Sequence, residues 1–271
     1  MPTPFYHLSV AKELLERSSL SISARQFLWQ ERAAFYYGSI APDVQTISGQ
    51  ARLETHFFDL PLGKNKLPPW EEIFISHSNL AQPANLDEPQ AAFILGYILH
   101  LQADWKWVQE IYVPYFGKQS QWGTLSHRLY LHNVLRIYLD QEILPELLNG
   151  SKPPIQQVAP SNWLPFVQDC YLERWRDLLA DQLHPGATVR GVEIFASRQG
   201  ISPDEYYQLL SSEERIQTEI FTHLPREKLQ TYRQTLLEEN LQLIEEYLQG
   251  SFRANNSRCQ MNLMGDGRSE F

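Results

Sequence analysis

The chain has 271 residues, 43% hydrophobic and 20% charged, a balance that excludes a disordered polymer and allows a sizeable core. Its formal net charge of −9 argues against a broad nucleic-acid-binding surface, which needs clustered Lys and Arg, but leaves room for a small metal-loaded pocket acting on phosphate esters. Two distant cysteines, Cys170 and Cys259, define neither a disulfide framework nor a thiolate zinc site.

The first residues, MPTPFYHLSVAKELLERSS, lack a basic region followed by an apolar run and a cleavage site. The longest apolar run, Ala91 to Leu99, is far shorter than the roughly 20 residues a membrane span requires. A soluble, cytoplasmic protein is therefore expected.

Apolar residues at helical spacing predict a helix over 6–18, and Ser23 is a good N-cap for a second one running to Tyr37 and ended by Gly38. The following SIAPDV reads as a turn carrying Asp43. Residues 44–86 read as mostly irregular, with extended character only in ARLETHFFDL, which would bring His56 to a site. Asp87 opens a central helix to about Tyr112, with Gln90 as its capping-box partner and Pro114 beyond its end. A further helix is predicted from Leu125 to Leu148, stopped by Gly150.

Residues 151–160, SKPPIQQVAP, form the best linker candidate. Beyond them, helices are predicted over 162–183, 202–210, 211–223 and 226–248, with capping boxes at Ser202/Glu205 and Ser211/Glu214. The final GSFRANNSRCQMNLMGDGRSEF reads as a mobile tail. The expected class is all-α, divided into a core over 1–150, a helical extension over 151–250 and a tail over 251–271.

Six of the eight histidines fall before residue 150, so metal chemistry is expected there. His100 and Asp104 stand four apart inside the apolar central helix and therefore share one face. A buried carboxylate needs a metal ion or a paired cation to offset its desolvation. The order His7, Asp43, His56, His100, Asp104 supplies imidazole and carboxylate donors suited to a multinuclear zinc site. His-Glu-x-x-His, Gly-x-Ser-x-Gly and P-loop patterns are absent from the sequence, which removes those hydrolase classes.

The pieces FYHLSVAKELL, FYYGSIAPDV, ETHFF and GYILHLQADWKW, in that order, resemble the zinc-dependent phospholipase C family, whose helical fold is shared with single-strand-specific zinc nucleases. The resemblance covers about residues 1–140. It implies that Asp43, His56 and His100 hold one zinc, that Asp104 bridges to another completed by His7, and that Asp43 occupies the place of a catalytic aspartate. The resemblance also implies a third zinc. There the family has a histidine six residues after the bridging aspartate, where this chain has Glu110. Its last ligands are a histidine and a carboxylate one turn later. His132 is the nearest match, with His127 as its rival, but Arg136 stands where the acid should be.

One to three zinc ions are thus expected on His7, Asp43, His56, His100, Asp104, Glu110 and His132. The implied activity is hydrolysis of a small phosphoester or phospholipid by a metal-bound hydroxide. The alternative is a non-catalytic helical module that keeps one metal, or none, for stability or partner binding. Substrate identity and oligomeric state stay open.

Overall fold

The computed structural model describes residues 1–60, 62, 67–149, 153–184 and 190–252. Among these, every regular element is helical and none is a strand, as expected for an all-α chain. α1 (Pro4–Glu16) starts with Pro4 in its first turn and Thr3 as cap, the Thr3 hydroxyl accepting the Tyr6 N–H at 3.3 Å.

The second predicted helix is two helices. α2 (Ile22–Gln30) is capped two residues earlier than expected, by Ser21, whose hydroxyl accepts the Ala24 N–H at 3.2 Å. The chain breaks at Glu31 (φ −98, ψ 23), and α3 (Arg32–Gly38) then buries Ala34 to Gly38 while α2 stays largely exposed.

The stretch expected to be irregular is mostly short helices. A 3₁₀ turn, Ala41–Val44, carries Asp43 into α4 (Gln45–Ser48), which Gly49 ends at φ 77. ARLETHFFDL is not extended. It contains α5 (Arg52–His56), nucleated locally by the Glu54 carboxylate accepting the Ala51 N–H at 2.7 Å. Phe57 closes α5 in the left-handed region, at φ 60. α6 (Pro69–Ser76) follows. Elements this short complete too few turns to display a hydrophobic period.

α7 (Glu88–Trp107) is the central helix, capped by the Asp87 carboxylate on the Gln90 N–H at 2.7 Å. The Gln90 amide does not close the expected capping box; it donates to the Trp163 carbonyl at 3.0 Å. α7 runs without a stop into a π-helical turn, Val108–Phe116, that takes Pro114 inside it. The wider spacing relieves the clash between a proline ring and the carbonyl four residues back, so the chain does not end before Pro114.

α8 (Leu125–Asn149) packs on α1. Gly150, its expected stop, lies outside the described residues. Of the expected linker, residues 151 and 152 are also outside them, while Ile155 and Val158 are buried in the core.

α9 (Asp169–Gln182), α10 (Gly191–Gln199), α11 (Pro203–Leu210), α12 (Glu213–Ile216) with a π turn to Phe221, and α13 (Arg226–Leu248) complete the fold. α10 was not foreseen. α12 is capped by Ser212, not Ser211. Of the expected tail, Phe252 packs on Phe74 with ring centroids 5.0 Å apart, and residues 253–271 lie outside the described residues.

One apolar cluster reaches from Phe5 on α1 to Tyr247 on α13, with α7 at its centre against α1, α3, α6 and α13. The tightest crossing is between α3 and α7. A Cβ on Gly38 would lie 2.0 Å from the Phe93 carbonyl oxygen, and one on Gly96 would lie 2.2 Å from the Phe35 carbonyl oxygen. Only two glycines permit that approach. Gly96→Ala is expected to lower the unfolding free energy by about 3 kcal/mol or more, measured by urea denaturation, because two backbones would have to separate.

Candidate metal centre

Four elements deliver polar side chains to one buried point: α1 brings His7, the 3₁₀ turn brings Asp43, α5 brings His56, and α7 brings His100 and Asp104. The Asp104 carboxylate sits in the middle. Its Oδ1 lies 3.3 Å from His7 Nε2, and its Oδ2 lies 3.4 Å from His56 Nε2 and 3.8 Å from His100 Nε2. Asp43 Oδ1 is 3.5 Å from His56 Nε2. The His7 and His100 rings stack with centroids 3.7 Å apart.

Second contacts fix which nitrogen of each ring faces inward. His100 Nδ1–H donates to the Ser39 carbonyl at 2.8 Å, a carbonyl held beside it by the Gly38–Gly96 crossing. Thr55 gives its own hydroxyl proton to the Arg52 carbonyl at 3.4 Å and so accepts from His56 Nδ1–H at 2.9 Å. Both imidazoles therefore turn an Nε2 lone pair toward the cluster.

Burial pushes the His100 imidazole down to about 3 and lowers His56, so both are neutral at neutral pH. Burial alone would raise Asp43 and Asp104. The polar surroundings outweigh it, with the Arg52 guanidinium acting directly on Asp104, and both carboxylates stay below their usual range.

Neutral imidazoles and ionised carboxylates are the state metal ligands need. His7 Nε2, His56 Nε2, His100 Nε2 and Asp104 Oδ1 are all buried without a hydrogen-bond partner among the described residues. Lone pairs facing one another at these distances repel unless a cation lies between them. Two overlapping sets, His7–His100–Asp104 and Asp43–His56–His100, each place their donor atoms within 4.8 Å of one another and could hold a metal ion. The donors fit zinc, which takes imidazole nitrogen and carboxylate oxygen.

Arg52, four residues before His56, was missed in the sequence because its segment read as extended. Its Nη2 donates to Asp104 Oδ2 at 2.5 Å, and its guanidinium lies 4.5 Å from the centre of the Phe58 ring. It satisfies one carboxylate oxygen and leaves the other, with all three imidazole nitrogens, unpaired.

The structure does not bring Glu110 and His132 to this cluster. Glu110 is partly exposed in the π turn and pairs with Lys106 at 2.7 Å. His132 is buried among Trp107, Tyr112 and Phe116, and its Nε2 accepts the Trp107 indole N–H at 3.0 Å, which uses the lone pair a metal would need. His127 is exposed.

A cleft of about 340 Å³ opens beside the cluster and meets it at Asp43 and Arg52. Its far wall comes from α8, α9 and α10 and includes Arg136, Asp140, Trp175, Phe195 and Arg198. Asp140 is buried, bonded to the Thr3 hydroxyl, and pushed up to about 7 by that burial.

A family model described as zinc dependent phospholipase C matches residues 6–185. No curated protein matches the chain, and no solved structure matches it.

Zinc at about 100 times its dissociation constant should add about 2.7 kcal/mol to the stability of the metal-free chain, read as a rise in Tm. His56→Ala and His100→Ala should abolish the rise, and Glu110→Ala should leave it intact; a rise that survives both histidine changes would place zinc elsewhere. A second expectation concerns Asp140, whose folded-state pKa of about 7 lies above its ordinary 3.8. The folded state then binds the extra proton, so stability falls as pH rises from about 4 to 7. Asp140→Asn should stabilise the chain at pH 8 by on the order of 3 kcal/mol and far less at pH 4, checked by denaturation at both values.

Proposed function

The chain belongs to the zinc-dependent phospholipase C family, and on that premise we propose that it is a zinc-dependent phosphoesterase cleaving a phosphodiester or phospholipid-like substrate at the His7, Asp43, His56, His100 and Asp104 cluster. The observation that carries this reading is the convergence of three buried imidazole Nε2 atoms and one carboxylate oxygen without hydrogen-bond partners. Asp43, His56 and His100 would hold one ion, and Asp104 with His7 would share the charge of a second. Zinc bound there supplies Lewis-acid charge to a phosphoryl oxygen and lowers the pKa of a water.

The remaining chemistry belongs to the chain. Ser39 and Thr55 hold His100 and His56 in the tautomer that presents Nε2. Asp43, with its side chain 21% exposed, is the member of the cluster that meets the cleft. Its ionised carboxylate accepts a hydrogen bond from a water entering there and orients it for in-line attack on phosphorus. Arg52 restrains Asp104 through a charge-assisted bond and offers its guanidinium edge at the cleft boundary, where charge grows on the phosphoryl oxygens. Apolar side chains of α9 and α10 suit an acyl or other apolar portion of the substrate.

A second reading, a non-catalytic metal-binding module, draws on one specific observation: a guanidinium already pairs with the central carboxylate, while Glu110 and His132 stand apart from the cluster. Zinc-loaded protein tested on a short-chain phosphatidylcholine and on bis(p-nitrophenyl) phosphate separates the two. The phosphoesterase should turn over at least one of them, and Asp43→Asn should lower kcat by about 100-fold or more with an unchanged circular dichroism spectrum. A fully loaded chain inert toward both would leave the binding module standing.

A further inference from the structure

The cleft lining is of two kinds: Trp175, Leu178, Leu179 and Ile194 are apolar, whereas Arg136 on α8 and Arg198 on α10 are cationic. The third arginine at the cleft, Arg52, is committed to Asp104. Among the described residues, no carboxylate lies within ion-pair distance of Arg136 or Arg198, although Asp43 and Asp140 line the same space.

Arg136 is held in place without being neutralised. Its guanidinium stacks on the Phe195 ring at 4.3 Å, and its Nη1 donates to Asn133 Oδ1 at 3.0 Å. Its Nε–H is buried and has no hydrogen-bond partner among the described residues. Arg198 lies close enough to add its repulsion. A ring-stacked guanidinium with a free buried donor, beside a second guanidinium in a cleft, is an arrangement that an anion completes.

The reacting phosphoryl group finds its compensation at the metal cluster and Arg52, and about 340 Å³ holds much more than one phosphate. Arg136 also stands where the sequence departs from the expected pattern, and Arg198 and Phe195 lie beyond residue 185, where the family match stops.

We propose that Arg136 and Arg198 form an anion subsite for a second negative group on the substrate, a phosphomonoester carried on the head of a lipid-like phosphoester. The proposal rests on the cleft being the substrate cleft of the phosphoesterase described above. The chain then favours a phosphorylated head over a zwitterionic one, and the apolar lining of the cleft receives the tail.

Binding tests it without turnover. Full-length zinc-loaded protein is titrated calorimetrically with two phosphonate lipids of equal short tails, which resist hydrolysis, one with an inositol phosphate head and one with a choline head. The phosphorylated head should bind at least about tenfold more tightly. Arg198→Gln, at an exposed position that does not endanger the fold, and Arg136→Lys, which keeps charge but loses the planar fork, should each remove most of that preference and leave choline-lipid binding unchanged.

Equal affinity for the two heads, or a preference that survives both substitutions, overturns the subsite. Inorganic phosphate should bind at least about tenfold more weakly than the phosphorylated lipid, since it has no tail; equal binding overturns the lipid-like part. Zinc content and hydrolysis are measured separately, so a chain that shows the preference without turnover keeps the subsite and loses the phosphoesterase reading.

Discussion

With no Cβ on Gly38 or Gly96, α3 and α7 meet backbone to backbone, and that contact sets the depth of everything attached to them. It brings the Ser39 carbonyl to 2.8 Å from His100 Nδ1, which fixes the ring's tautomer and aims its other nitrogen at Asp104, one turn further along α7. His7 then stacks on His100 from α1. A wider helix crossing would leave His100 without its acceptor, free to rotate, and the polar cluster without a rigid side. The cost of burying a carboxylate is tolerable only because this packing holds every neighbour in one orientation.

The sequence made legible whatever rests on long elements or on ordered spacing. α7, α8 and α13 emerge from hydrophobic period and caps, and five of the seven candidate ligands, those named from residue order up to Asp104, lie together in space. What escaped detection rests on short or non-local structure. α4 and α5 span four and five residues, too few for periodicity, so the segment carrying His56 read as extended and its Arg52 went unnoticed.

Glu110 is named from its place six residues after Asp104, and His132 from its likeness to a histidine expected on the next helix. In the structure Glu110 pairs with Lys106 one turn back, and His132, on α8, accepts the Trp107 indole N–H; spacing along the chain does not show which side chains close around a residue after folding.

Cluster and cleft also differ in where they come from. The donors derive from the first hundred or so residues, whereas the arginines and the apolar lining derive from α8, α9 and α10. The ring of Phe195 and the guanidinium of Arg136 join α10 to α8 within the second part. Residues that would do the chemistry are thus separated along the chain from those that would choose what enters, so the second set can vary without disturbing the first.

Asp43 is the only member of the five-residue cluster with appreciable exposure; His7, His56, His100 and Asp104 are sealed within the helices. A metal ion held there would be reached from the cleft side, past Asp43. Whatever occupies the cleft stands in that passage. Ligand residence and ion exchange would then be coupled by geometry: a seated ligand would slow the escape of an ion beneath it, and the centre would be most open to scavenging chelators in the interval between one ligand and the next.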